Sequence, residues 1–294
     1  MKTILLTGAT GFIGRNIAES YLSDKYEIYA PSRAELDIAD TESVNDFFAR
    51  KAFDAVIHCA TKPGHRNAKD HSNLFYTNTR MFFNLERHKN KYGKFINCGS
   101  GAVYDINTNI SNASEEDLFK NLGKDDHSFC KYVVSKHIQN IPNFVDLNIF
   151  GIFGKYEDYE IRFISNAICK TLFGLPITLR QNRRFSYLYI DDLYHILEFF
   201  IENNVKHRSY NVVPDAAVTL YDLAVLVRDI SGKDVPISVA REGFGLDYYG
   251  SNSRLQTEFS ALHFIDIDSA IKQLYTSYRK IKNSLISDSF LLDK

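Results

Sequence analysis

No segment of this 294-residue chain approaches the ~20 consecutive apolar residues that a membrane-crossing helix needs. The apolar run within Met1 to Gly8 is far too short for a secretion signal. A membrane is therefore not an expected partner, and a cytoplasmic location is expected. Cysteine is scarce: Cys59, Cys98, Cys130 and Cys169 stand far apart and form no C-x-x-C pair. That excludes a zinc ribbon or a disulfide framework and reads as reduced, mostly buried thiols. A basic excess is missing too. Lys and Arg number 35 against 36 Asp and Glu, a net charge of −1, which argues against nucleic acid as a partner. Internal repeats and low-complexity segments are absent. With 45% hydrophobic and 24% charged residues the composition is that of a folded globular chain.

What is present is an alternation of strand and helix patterns. Thr3 to Leu6, Glu27 to Ala30, Ala55 to His58 and Lys94 to Cys98 read as strands. Ile13 to Leu22, Thr41 to Ala49 and Asn73 to Lys89 carry apolar residues at helical spacing. Asp40-Thr41-Glu42-Ser43 has the form of a helix start. Val145 to Phe150 reads as a further buried strand. The fold class expected is α/β: a Rossmann-type doubly wound parallel sheet with a smaller mixed α/β C-terminal substrate cap. Residues 1–155 form the nucleotide-binding part, with 186–212 returning to it, and 156–294 the discontinuous cap. Within the cap, 162–173, 191–202, 220–231 and 268–283 read as helices and 186–190 and 210–213 as strands. Arg241 to Ser253 reads as a Gly- and Tyr-rich loop.

Thr7-Gly8-Ala9-Thr10-Gly11-Phe12-Ile13-Gly14 joins the first strand to the first helix. Glycines three apart suit a tight turn, close approach of a pyrophosphate, and packing of helix on strand. Gly8, Thr10, Gly11, Phe12, Ile13 and Gly14 are accordingly expected at a dinucleotide, whose phosphates face the helix N-terminus. After the second strand stands Ala30-Pro31-Ser32-Arg33, where NAD enzymes place an acid. Ser32 and Arg33 can hold a 2′-phosphate, so NADP(H) is preferred and NAD(H) remains open. The other reading of Arg33 is a solvated loop cation.

Tyr132 and Lys136 stand four apart, on one helix face, with Ser135 between them. A phenol titrating near 10 needs a cation beside it to exchange protons near neutrality, and Lys136 would provide one. Asn97-Cys98-Gly99-Ser100-Gly101-Ala102-Val103-Tyr104 ends a strand at the ligand edge, where Ser100 either bonds the reacting oxygen or merely caps a turn. His65 and His71 share a polar loop with Lys62, Arg66 and Lys69, but no carboxylate cluster completes a metal site. No metal is expected, and Lys62 or His65 can touch substrate.

Taken together, these motifs resemble the extended short-chain dehydrogenase/reductase family, the group of nucleotide-sugar epimerases, dehydratases and reductases. Leu36-Asp37-Ile38 resembles its adenine-contacting pair, Asn78 a structural asparagine, Arg183 to Asp192 its Arg-Asp-Phe…Val-Asp-Asp segment, and Ser253-Arg254-Leu255 its late Ser-Lys-Leu element. The resemblance implies that Tyr132 is the acid/base, that Lys136 orients the cofactor ribose, and that Ser100 polarises the substrate oxygen. It implies cofactor contacts at Asp37, Ile38, Cys59 and Ala60, substrate contacts at Lys62 and Ala102, and a grip on the substrate diphosphate by Arg183 and Arg241. The alternative for both arginines is a plain ion pair. It also makes a homodimer plausible.

Departures narrow the reaction. Gly101-Ala102 replaces the Asp-Glu pair of the family's dehydratases. Ala102 replaces the cysteine of the GDP-fucose synthases, and Arg162 falls about where their histidine lies. Gly151 replaces an asparagine. The function expected is NADPH-dependent reduction of a 4-keto nucleotide sugar, with the proton from Tyr132. The alternatives are a 4-epimerase with retained NAD and a silent NADP-binding regulatory protein.

Overall fold

The structure is a computed structural model describing residues 1–65, 67–285 and 290; Arg66, read above as part of the polar loop, lies outside the described residues. The first part of the chain runs β1 (Thr3–Thr7), α1 (Phe12–Ala18), α2 (Leu22–Lys25), β2 (Glu27–Tyr29), α3 (Thr41–Arg50), β3 (Phe53–His58), α4 (Leu74–Glu86) and β4 (Tyr92–Cys98). After it come β5 (Ile110–Ala113), α5 (Asp126–Ile138), β6 (Phe144–Ile149), β7 (Gly151–Phe153), α6 (Phe163–Leu172), β8 (Ile177–Asn182), β9 (Arg184–Phe185) and β10 (Tyr187–Tyr189). The rest is α7 (Ile190–Glu202), β11 (Ser209–Val212), β12 (Val218–Thr219), α8 (Leu220–Ser231), β13 (Ile237–Phe244), β14 (Tyr248–Gly250), α9 (Ser253–Glu258) and α10 (Ile267–Lys280).

Six parallel strands form the central sheet in the order β11-β6-β4-β3-β1-β2. The period of two decides what covers each face. Ile4, Leu6, Ala55, Ile57, Val145 and Leu147 point to one side, into a core completed from α6 and α7. Leu5, Val56, Phe95 and Phe144 point to the other, against Val44 and Phe48 of α3, Phe82 of α4 and Val134 of α5. Each fully buried Leu or Ile contributes roughly 1.5–3 kcal/mol, so this two-sided burial sets the doubly wound arrangement. The chain reverses direction across the sheet between β1 and β3, and open α/β sheets bind ligands at such a switch point.

Beyond the central sheet, β10 pairs with β7, β12-β9-β14-β5 form a four-stranded sheet, and β13 pairs with β8. The stretch expected to be a loop from Arg241 to Ser253 is thus partly strand, because β13 runs parallel to β8 through Arg241↔Gln181 and β14 lies beside β5 and β9. The first helix stops at Ala18, short of the expected Leu22, where the Ser20 N–H turns back to the Ile17 carbonyl and α2 begins afresh. Asp40 caps α3 by accepting from the Glu42 and Ser43 N–H groups. No helix among the described residues is long and apolar enough to cross a membrane.

Candidate active site

The turn after β1 tolerates only glycine at two of its three positions. Gly8 has φ +76°, and a Cβ there would lie 2.6 Å from the Ala60 nitrogen; on Gly14 it would lie 2.2 Å from the Gly8 carbonyl oxygen. These contacts press the loop after β3 and the start of α1 onto the turn. Gly11 caps α1 without any side-chain acceptor, so the first N–H groups stay open to a ligand. Thr10 and Gly11 are exposed, and Phe12 and Ile13 half-buried. A diphosphate fits this cradle because no Cβ stands at Gly11, at the exposed start of α1.

At the end of β2 the Ser32 N–H and hydroxyl both donate to Glu35 Oε2 at 2.8 Å. Arg33 donates to Asp37 at 3.0 Å with its side chain 82% exposed. Ile38 is buried, and its carbonyl accepts from Asn84. Cys59 and Cys98, at the neighbouring ends of β3 and β4, bring their sulfurs to 3.2 Å as free thiols.

Helix α5 is started by Asp125, whose carboxylate accepts from the His127 and Ser128 N–H groups. Tyr132 and Lys136, expected at the crevice, face elsewhere. The Tyr132 ring stands edge-on to Phe119 at 5.4 Å, and the exposed Lys136 holds its ammonium 4.4 Å from the same ring. The cation that does reach the crevice is Lys131. Its charge acts on His58 and Cys59 at the end of β3, on His127, and on Asp146 inside β6. The cause is rotational. At 100° per residue, Tyr132 is five residues and about 140° round the helix from His127, so the two i,i+4 pairs cannot share a face. His127-x-x-x-Lys131 has the same spacing as the expected pair Tyr132-x-x-x-Lys136.

Ser100 caps a turn, one of its two readings. Its Oγ accepts from the Ala102 N–H at 3.1 Å, capping the 3₁₀ turn Gly101–Tyr104, and lies within hydrogen-bonding reach of the Tyr248 phenol. Burial pushes that phenol up to about 12, against the pull of Ser100, Arg183 and Arg162. Arg183 acts on the same phenol, and its Nε is buried without a hydrogen-bond partner among the described residues. Arg183 and Arg241 together line a cavity of about 420 Å³, with Arg180 and Lys170 on its wall. Two expected substrate contacts are turned away. Lys62 donates to Asp70 at 2.6 Å and to the Ser72 carbonyl, folding into its own loop, and Ala102 is only 1% exposed. Asn78 clamps that loop by exchanging hydrogen bonds with the Lys62 backbone. Gly151 has a packing reason: a Cβ there would lie 2.6 Å from the Ser186 carbonyl oxygen.

Residues 4–213 match the family model described as the NAD dependent epimerase/dehydratase family. The chain belongs to that family. It is 21% identical to a GDP-L-colitose synthase of Yersinia pseudotuberculosis, over 96% of this chain and 99% of the relative. Among solved structures it resembles a GDP-mannoheptose C4 reductase from Campylobacter jejuni with NADP bound, at TM-score 0.80 and 19% identity over 95% and 98% of the two chains. A UDP-glucose 4-epimerase from Thermotoga maritima gives TM-score 0.78 and 17% identity, over 95% and 99%.

For a member of the epimerase/dehydratase family, the electrostatics of the crevice are consistent around one lysine. Burial holds His58 down to about 3, so the imidazole is neutral, its Nδ1 2.8 Å from the Thr7 hydroxyl. The Cys59 thiol is raised by its contact with Cys98 and by burial, and Asp146 is raised by burial. Arg162 faces the crevice from the cap of α6, acting on His127, His65 and Tyr248. His127, Lys131 and Tyr248 lie at the crevice and were not among the expected site residues, whereas Arg162 was noted only as standing about where a histidine of the GDP-fucose synthases lies. Of these, only the His127–Lys131 spacing was visible as a motif.

Proposed function

We propose that the chain is an NADPH-dependent reductase of a keto nucleotide sugar, with the keto group at C4. One observation carries the reading: Arg183 lines an arginine-rich cavity and its charge also acts on the Tyr248 phenol beside Ser100. A ligand with a diphosphate and a sugar carbonyl has both features, the anion for Arg183 and Arg241 and the carbonyl for Ser100. Residues 1–155 and 186–212 would hold the dinucleotide, and the remaining residues the substrate.

NADP(H), when bound, supplies the hydride. The glycine turn of Gly8, Gly11 and Gly14 takes its pyrophosphate, and the exposed Arg33 is free to leave its surface pair with Asp37 for a 2′-phosphate. The Ser32 hydroxyl is already committed to Glu35, so the preference for NADP rests on Arg33. Ser100 donates to the substrate oxygen, and Lys131 keeps positive charge at the ends of β3 and β4 where negative charge develops. The names of the relatives, a colitose synthase and a heptose C4 reductase, support reduction over epimerisation. The test is a panel of 4-keto nucleotide sugars followed by NADPH fluorescence. The reading requires one NADPH consumed per sugar reduced. Cofactor binding without consumption of any panel member would instead mark a binding protein.

A further inference from the structure

We propose that the proton donor of this reductase is the imidazole of His127, in the helix position where the family places a tyrosine, with Lys131 as its partner. The proposal rests on the reductase reading above and deepens it.

Only one of the two i,i+4 pairs on α5 can face the crevice, and three observations choose His127 and Lys131. First, the Lys131 ammonium acts on His58 and Cys59 at the end of β3 and on Asp146 in β6, on either side of β4 in the central sheet. A cation felt by all three stands near the carboxyl end of β3, where Asn97 of β4 donates to Asp146. Second, His127 is one turn earlier on the same face, and Lys131, Asp125 and Arg162 all act on it. Arg162 acts also on the Tyr248 phenol that contacts Ser100. His127 is thus placed between the lysine at the cofactor crevice and the arginine at the serine. Third, Tyr132 and Lys136 both pack against the Phe119 ring, at 5.4 Å between ring centroids and 4.4 Å from ammonium to centroid.

The start of α5 also pins His127. Asp125 Oδ1 holds its N–H at 3.0 Å, while Oδ2 accepts from Ser128 and Asn107. A Cβ on Gly123 would lie 2.5 Å from the Ser128 Cβ, so the preceding loop is pressed against the helix's first turn. Burial, with Lys131 and Arg162, holds the ring down to about 4 against the pull of Asp125. An anionic substrate pairing with Arg162 would relax the repulsion from that arginine and favour the protonated ring.

In the reduction, the ring N–H bond breaks as an O–H bond forms on the former carbonyl oxygen. The carbonyl carbon gains the hydride that reduced nicotinamide supplies. The neutral imidazole then takes a proton back from water. A phenol donor loses its proton near 10, whereas an imidazole donor does so near or below 6.5. The donor must be protonated, so kcat/KM for reduction is highest below the ring's pKa and falls as pH rises through it.

Two measurements on the full chain test this. Histidine-labelled NMR, with the resonance assigned by its loss in His127→Tyr, follows the ring as cofactor is added. The cationic nicotinamide of NADP+ should lower its titration midpoint by about one unit, and neutral NADPH should move it less. A ring blind to NADP+ overturns the proposal. In kinetics, His127→Phe should lose roughly 10²–10⁴-fold in turnover with NADPH affinity kept. His127→Tyr should retain turnover and move the alkaline limb of kcat/KM from between about pH 4 and 7 toward about 10. Turnover lost in Tyr132→Phe but kept in His127→Phe overturns the proposal. If no keto sugar is reduced yet the ring responds to NADP+, the reductase reading fails while the placement of His127 stands. Turnover without any such response overturns the placement and leaves the reductase reading.

Discussion

The crevice at the switch point and the cavity over β8 and β13 are built on opposite electrostatic plans. In the crevice, beside Lys131, burial holds His58 and Asp146 toward their neutral forms, and the Cys98 contact with burial does the same for Cys59. The cavity gathers Lys170, Arg180, Arg183 and Arg241 against Glu160. A low-dielectric setting makes one charge count heavily for chemistry, while a cluster of cations suits a diphosphate that needs holding. Arg183 belongs to both regions, since it lines the cavity and also acts on Tyr248 beside Ser100.

The largest effect should come from the crevice. Lys131→Ala removes its central cation, and turnover should drop roughly 10²–10³-fold, measured as NADPH oxidation at saturating sugar. An equal loss in Lys136→Ala, with Lys131→Ala active, would break the distinction between the two faces of α5. Next comes the shared arginine. Arg183→Leu should raise KM for the nucleotide sugar about ten- to a hundredfold, the worth of a charged hydrogen bond, and leave the Kd for NADPH unchanged. Because its Nε is buried without a hydrogen-bond partner among the described residues, the same change should raise Tm, by about 2 °C. A fall in Tm would mean the guanidinium serves the fold and not the ligand.

These tests follow the line between what the sequence exposes and what it conceals. The glycine turn and the parallel strands were legible because their constraints are local. Gly8 must take positive φ, Gly14 must admit a carbonyl, and strands covered on both faces read as apolar runs. The position of Ser100 at a strand end was legible for the same reason. The working face of α5 was not. Both pairs have the right spacing, and choosing between them depends on how the helix is rotated against α4 and the turn at Gly101–Tyr104, which is tertiary information. Lys62 was misread similarly, because its partner Asp70 lies on the same loop and only the folded loop brings them together. Tyr248 enters from a distant segment, and no local pattern announces it; Arg162 was visible only through the resemblance.

A test of the turn itself sharpens the contrast between crevice and cavity in stability. Gly14→Ala forces a methyl to within 2.2 Å of the Gly8 carbonyl oxygen, and overpacking of this kind costs about 1–3 kcal/mol. Urea denaturation should report that loss, along with weakened NADPH binding. Gly232→Ala meets nothing within 4 Å but sits at φ +65°, so its cost is backbone strain alone and cofactor affinity should be kept. Equal loss of affinity in both would detach the cradle from the cofactor.

The smallest expected effect is at the rim. Arg33 is 82% exposed and its pair with Asp37 is a surface ion pair, which contributes little to folding. Arg33→Ala should therefore leave Tm where it is. It should weaken NADPH about tenfold, the worth of one charge-assisted contact to a 2′-phosphate, and leave NADH untouched, since NADH presents no group for Arg33 to hold. Comparing the two cofactors separates recognition from architecture, because damage to the turn would weaken both alike. Equal weakening would remove Arg33 from cofactor choice. The Ser32–Glu35 contacts at 2.8 Å would then be the feature to weigh, since a carboxylate at that edge favours ribose hydroxyls and hence NAD.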